Sequence, residues 1–217
     1  MKRLKWVNDM FKFYDISMLI SEKMIVYPGN PLPQIRQYSS IPANKTNESL
    51  ICLGSHCGSH VDTKRHIKND AEGSEALPLE SFYGECQVLD VTFVEKEIHK
   101  KDLEDFKIHN DDIILLKTRN SLLGYTQFRK DFVHVKLDAA EYLVELGVKT
   151  LGFDYLSVKE FGSDDEVHSV LINNLTLFEG LNLFQVPEGK YTFVGLPLKV
   201  DCNGVPARVI LIKNHTE

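Results

Sequence analysis

Histidine is concentrated in one short stretch of this sequence. Three of its eight histidines fall inside Ser55-His56-Cys57-Gly58-Ser59-His60-Val61-Asp62-Thr63-Lys64-Arg65-His66. Imidazole is a ligand for divalent metals and a proton carrier near neutral pH, so this density points to metal or acid–base chemistry. His56, His60, Asp62 and His66 share parity, and in an extended segment all four would face one side. A carboxylate among neutral imidazoles suits zinc or a similar divalent transition metal, whereas calcium prefers an all-oxygen shell. At roughly 3.3 Å per residue, His60 and Asp62 lie about 6.6 Å apart along a strand and can share an ion. On the same ruler His56 lies about 13 Å from His60. It can join only through a bend, which Gly58 is able to supply. His66, four residues past Asp62, is placed more easily as a proton carrier or an outer residue than as a ligand of the same ion. His99, His109, His134 and His215 stand among charged or terminal residues and are expected to be structural. Cys57, between two histidines, is expected to be a spectator, because a metal site already accounts for its neighbours.

Apolar runs and turn residues outline the elements that must position this stretch. Tyr14 to Ser17 reads as a short strand and Met24 to Tyr27 as another, stopped by Pro28-Gly29-Asn30-Pro31, whose prolines remove ladder donors. Ser49 to Leu53, Cys86 to Val94 and Asp112 to Thr118 have strand length, and the last two are rich in Val, Ile and Leu without alternation, as strands buried on both faces are. Lys100 to Phe106 reads as a short charged helix. Asp138 to Leu146 reads as a second, with Ala139, Leu143 and Leu146 on one face and Gly147 at its end. Val148 to Phe153 then forms a strand closed by Asp154. Val167 to Asn174 can form a short helix, followed by strands at Leu175 to Phe178, Tyr191 to Leu196 and Arg208 to Ile212. Strands outnumber helices, so the fold class expected is α/β with mixed β-sheets. No repeat or Pro/Gly/Ser-rich linker divides residues 1–217, and one domain is expected.

Composition narrows the partners. With 217 residues, 43% hydrophobic and 26% charged, the chain can bury a sizeable core, which excludes disordered and fibrous classes. The 25 basic against 31 acidic side chains give a formal net charge of -6. That charge removes the attraction behind most nucleic-acid binding. No apolar run is long enough for a membrane helix, and Asp9 falls where a signal peptide would be apolar, so a cytoplasmic chain with no membrane contact is expected. Cys52, Cys57, Cys86 and Cys202 are too few and scattered for a disulfide framework and are expected to be reduced.

The string from His56 to His66 resembles the H-x-G-T-H-x-D-x-P-x-H signature of the cyclase family, metal-dependent hydrolases that include bacterial kynurenine formamidase and isatin hydrolase. Asp15-Ile16-Ser17 and Val26 to Pro31 resemble the family's opening, Gly152 to Val158 its middle strand and turn, and His168 to Leu183 with Leu196-Pro197-Leu198-Lys199 its closing portion. The resemblance implies a three-layer β/β/α, swivelling-domain-like fold. It implies one or two divalent metal ions, zinc ahead of manganese, held by His56, His60, Asp62, His168 and Glu179, with Asp62 bridging and His66 as the catalytic acid/base. The implied activity is hydrolysis of an amide, formamide or cyclic amide, with N-formylkynurenine leading among substrates. Other cyclic amides, imides or lactones, or a metal-binding protein without catalysis, are the alternatives. Three positions depart from the pattern: Ser59 stands for threonine, Lys64 for proline, and Tyr27 where kynurenine formamidases carry a tryptophan against the substrate. Tyr27 is therefore the substrate-binding candidate, and Lys64 a cation able to tune the metal. Homo-oligomers, dimeric or tetrameric, are common in the family, and the aromatic amino terminus with Trp6, Phe11, Phe13 and Tyr14 could serve an interface.

Overall fold

The structure, a computed structural model, describes residues 11–214. The readings at residues 1–9, Trp6 among them, and at His215 lie outside the described residues. The strands are β1 (Phe11–Asp15), β2 (Gln34–Ser39), β3 (Glu48–Cys52), β4 (His60–Asp62), β5 (Tyr83–Asp90), β6 (Glu97–Ile98), β7 (Ile113–Lys117), β8 (His134–Val135), β9 (Thr150–Phe153), β10 (Thr176–Glu179), β11 (Gly189–Pro197) and β12 (Gly204–Asn214). The helices are α1 (Lys64–Ile67), α2 (Arg119–Leu123), α3 (Leu137–Glu145) and α4 (Val167–Asn174).

Runs of Ile, Leu and Phe make β7, β9 and β10 buried along their whole length, so they occupy the centre of the main sheet. Its order is β1-β12-β11-β5-β7-β9-β10-β4. From β5 to β10 the strands run parallel, and α3 and α4 lie in the crossovers to β9 and β10. β11, β12 and β4 add antiparallel pairings, and β4 pairs with β10 on one side and β12 on the other. That second pairing curls the sheet into a closed, barrel-like ring of seven strands among the described residues, with β1 attached outside it to β12. β4 is only three residues long, yet it is the strand that closes the ring.

Alternation along β7 divides the core in two. Ile113 and Leu115 point inward to Val61, Phe178, Phe193 and Val205, while Ile114 and Leu116 point outward to Leu143 and Leu171 of α3 and α4. Each such side chain contributes roughly 1.5–3 kcal/mol on burial. α3 buries Ala139, Ala140 and Leu143 and stops before Gly147, whose φ of 75° takes the left-handed turn that ends helices. The architecture is mixed α/β, rich in strands with few helices. β2 and β3 pair with each other as a separate two-stranded sheet whose side chains are nearly all exposed.

Three expected elements need correction. Met24 to Tyr27 is not a strand, because turns at residues 22–23 and 28–29 isolate it and no neighbour offers a ladder; Ile25 and Tyr27 pack on the outer core instead. Lys100 to Phe106 shortens to one 3-10 turn, Lys100–Asp102, closed when the His99 N–H donates to Asp102 Oδ2 at 2.8 Å. The strand beginning at Cys86 ends at Asp90, where the Asp90 carboxylate accepts from Thr92 and folds the chain away. Of the amino-terminal aromatics, Tyr14 is buried in the inner core and Phe13 is exposed.

Candidate metal centre

The closing strand also assembles the chemistry. In β4 the alternation of a strand puts His60 and Asp62 on one face, and the antiparallel register sets Glu179 of β10 directly across from His60. Before β4 the chain reverses at Gly58, φ 67°, and the two rings His56 and His60 come to 5.1 Å between centroids. The bend that spacing requires is present at the glycine that could make it. After β4, Thr63 begins α1, and this single helical turn carries His66 back to His56, with ring centroids 4.0 Å apart. The first turn of α4 supplies His168, whose Nε2 lies 2.8 Å from Asp62 Oδ2. His56, His60, Asp62, His66, His168 and Glu179 therefore meet at one place.

Only His60 and Asp62 reach it by strand parity. His56 arrives through a left-handed turn, as the spacing requires, and His66 through a helix.

The centre is organised around Asp62, which is buried. His56 Nδ1 is 2.7 Å and His60 Nε2 3.4 Å from its Oδ1, with His168 on Oδ2. His60 Nε2 also lies 3.6 Å from Glu179 Oε2, and the Val158 N–H donates to Glu179 Oε1 at 2.7 Å. His60 Nδ1 is 2.9 Å from the Gly58 carbonyl, which can only accept, so the proton belongs on Nδ1 and the Nε2 lone pair faces the carboxylates. Asp62 Oδ1, His60 Nε2 and His56 Nε2 are buried without a hydrogen-bond partner. Buried polar atoms converging without hydrogen bonds are costly unless a cation sits among them. Two sets of donor atoms, His60/Asp62/Glu179 and His56/Asp62/His66, each lie within 4.8 Å of one another and share Asp62. Mixed imidazole and carboxylate donors fit zinc and neighbouring transition metals. The residues present fit one or two such ions.

Electrostatics follow from the crowding. Burial works against the Asp62 charge, but the surrounding His168, His56 and His60 outweigh it and hold the carboxyl well below its ordinary range. Burial and the neighbouring Asp62 charge push Glu179 up to about 7. Burial opposes the His168 cation, yet Asp62 and Glu179 carry it up to about 9. Burial takes His66 down to about 4, leaving its ring neutral with a lone pair to offer.

Tyr27 lines the same cavity as these histidines, as do Leu156, Ser157 and Lys159. Its ring packs edge-on against Phe128 at 5.4 Å and tilted against Phe161 at 5.7 Å, which back it from the outer core. Lys64 does not line this cavity. It occupies the first position of α1, the helix site that proline tolerates best, and borders a neighbouring cavity with Glu72. The lysine of the site is Lys159, which no spacing singled out. Cys57 is buried with its Sγ 3.6 Å from Met24 Sδ, and burial pushes its thiol up to about 11, as suits a spectator. The cysteines are free among the described residues.

A strand-rich α/β ring closed by a short strand that carries a buried aspartate among histidines defines the class. Residues 14–160 match the Cyclase family, and the chain belongs to it. A kynurenine formamidase of Salinibacter ruber is 30% identical over 205 residues, covering 91% of this chain and 95% of the relative. A solved structure described as a potential metal-dependent hydrolase with cyclase activity is 33% identical, with a TM-score of 0.83 over 93% of this chain and 98% of its own. An isatin hydrolase bound to the product analogue thioisatinate, 15% identical, shares the fold with a TM-score of 0.83 over 97% and 95% of the two chains.

Proposed function

We propose that this protein is a metal-dependent hydrolase of non-peptide amide bonds, with N-formylkynurenine as its leading substrate. The observation that carries the reading is Asp62, buried with both oxygens turned to histidines and shared by two sets of donor atoms. His56, His60, Asp62, His168 and Glu179 would hold the metal, Asp62 being common to both donor sets, and zinc is preferred over manganese for the nitrogen-rich set. A divalent ion bound there supplies Lewis acidity, drawing the pKa of water toward neutrality and polarising an amide carbonyl. His66, neutral and at the rim of the cavity, takes the proton of the attacking water and returns it to the leaving nitrogen. Glu179 is held in place by the Val158 N–H, and His60 by the Gly58 carbonyl, so the ligand set is oriented before substrate arrives. The ring of Tyr27, backed by Phe128 and Phe161, receives an aryl ring, and Lys159 suits a substrate carboxylate.

Tyrosine at position 27 in place of the family's tryptophan favours a second reading, hydrolysis of a smaller cyclic amide, imide or lactone at the same centre. The rest of the expectation belongs to this proposal: a single domain over residues 1–217, a three-layer β/β/α arrangement supported by helices packed on one side of the ring, and a homo-oligomer supported by exposed Ile35, Tyr38, Leu50 and Ile51 on β2 and β3. The test is turnover by zinc- and manganese-loaded protein against formamides, cyclic imides and lactones, with chelator-treated protein beside it. Formamide hydrolysis that needs metal supports the proposal. Metal-loaded protein inert on every substrate would leave a binding protein on a hydrolase fold.

A further inference from the structure

A second group of ligating side chains lies outside the centre at Asp62. β6 and β8 pair in parallel with Glu97 opposite His134, and the turn after β9 brings Glu160 beside them. His134 is 1% exposed, unlike His99 and His109, and its Nε2 has no hydrogen-bond partner among the described residues. Nε2 points between two carboxylates, 3.8 Å from Glu97 Oε1 and 3.8 Å from Glu160 Oε2. These separations are too long for hydrogen bonds. They are close to the spacing of ligands on one ion, since donors about 2.0–2.2 Å from a tetrahedral metal lie roughly 3.3–3.6 Å from one another. The other ring nitrogen, Nδ1, faces the Phe132 carbonyl at 3.4 Å, so it carries the proton and Nε2 keeps the lone pair. Burial pulls this histidine below its ordinary pKa, which agrees with a neutral ring.

Cationic side chains approach the same two carboxylates from the solvent side. Lys96 reaches Glu160 through Oε1 at 3.2 Å, whereas His134 meets Oε2, and the Lys96 side chain is 56% exposed. Lys136 lies 3.9 Å from Glu97 Oε1, and His99 lies 3.6 Å from Oε2 while its other nitrogen engages Asp138. Exposed pairs of this kind hold little energy, so their loss would cost little.

We infer that Glu97, His134 and Glu160 form a second divalent-metal site, separate from the centre at Asp62 and suited to zinc or a similar transition-metal ion. The site ties two parts of the fold together. Glu160 follows Lys159, which lines the substrate cavity, and the Val135 N–H donates to the carbonyl of Val158, whose own N–H holds Glu179. An ion at His134 would therefore fasten the turn that supports one wall of the candidate active site.

The test follows the imidazole nitrogens of the full-length protein by 15N-histidine NMR during a zinc titration, with bound equivalents counted by elemental analysis. His134 is assigned through His134→Gln. The expected result is a metal-dependent shift of the His134 Nε2 signal as one additional equivalent binds, in wild type and also in Asp62→Asn. The double variant Glu97→Gln/Glu160→Gln, which changes two partly exposed side chains, should fold normally by circular dichroism, bind one equivalent fewer than wild type and show no such shift. A His134 signal that stays put in wild type, or a double variant that binds as many equivalents as wild type, would overturn the assignment. A shift lost in Asp62→Asn would also do so, by placing the ion at the first centre.

Discussion

Gly204→Ala is a perturbation of a single atom aimed at His56. Gly204 sits opposite Asp62 in the β4–β12 ladder, and a Cβ there would lie 2.8 Å from His56 Nε2 and 2.9 Å from Nδ1, with Cε1 nearer still. Ordinary contact begins at 3.4 Å, so the rigid ring must retreat by about 1.0 Å to clear Cε1 at 2.4 Å, carrying Nε2 with it. A metal–ligand bond tolerates about 0.2 Å, so His56 should cease to ligate. Gly204 is not among the positive-φ glycines, which means alanine brings no backbone strain, and the His56 side chain is 14% exposed and can swing outward. The cost in stability should therefore stay near the low end for overpacking, about 1 kcal/mol, or roughly 2–4 °C in Tm for a chain of this size. Metal affinity should fall about 10- to 100-fold and turnover about 100-fold. Isothermal titration with zinc, thermal melts and formamide turnover read the three effects separately. The control is a double-mutant cycle: once His56→Ala has removed the ring, Gly204→Ala should add almost nothing. Unchanged zinc affinity in Gly204→Ala, or effects that simply add to those of His56→Ala, would refute the reasoning.

His66→Ala should retain its metal and lose turnover by about 10²- to 10⁴-fold, the worth of a positioned proton carrier; loss of the metal as well would make His66 a ligand, which its place beside His56 and Asp62 allows. Tyr27→Trp should raise activity on N-formylkynurenine relative to non-aromatic amides, and Tyr27→Ala should raise KM for aromatic substrates at unchanged metal content; equal kinetics for all three proteins would remove Tyr27 from the pocket wall. With its thiol raised to about 11, Cys57 should stay protonated and resist iodoacetamide near neutral pH while exposed Cys52 reacts, its labelling rising only as pH approaches that value. Cys57→Ala should keep turnover within about twofold, and a larger loss would give the thiol a role.

The sequence was most legible where burial is local and complete. β7 and the core of β5 follow from apolar runs of strand length, and α4 coincides with the span that could form a helix. Met24 to Tyr27 misled because four apolar residues satisfy a strand pattern whether or not a neighbouring strand exists to pair with them. At the site, the histidine density showed the chemistry but its parity was misleading, since two of the four residues arrive through a left-handed turn and a helix. His168 lies 106 residues from Asp62, a separation that no local periodicity can bridge, and it was reached only through resemblance to the family. Lys159 and His134 carried no pattern in the sequence. Their positions depend on how β9 and its following turn pack against β8, which is a property of the closed ring.

The central claim is that Asp62, shared between two sets of donors, holds the ions that make this a hydrolase. Asp62→Asn keeps the size of the side chain and removes its charge, so metal content and formamide turnover should be measured together on wild type and variant prepared in the same way. The account predicts wild-type protein with one or two ions at this centre and metal-dependent hydrolysis of N-formylkynurenine. It predicts that Asp62→Asn has lost those ions and hydrolyses no faster than chelator-treated wild type. An Asp62→Asn protein that kept the same ions at this centre and the same turnover would contradict it.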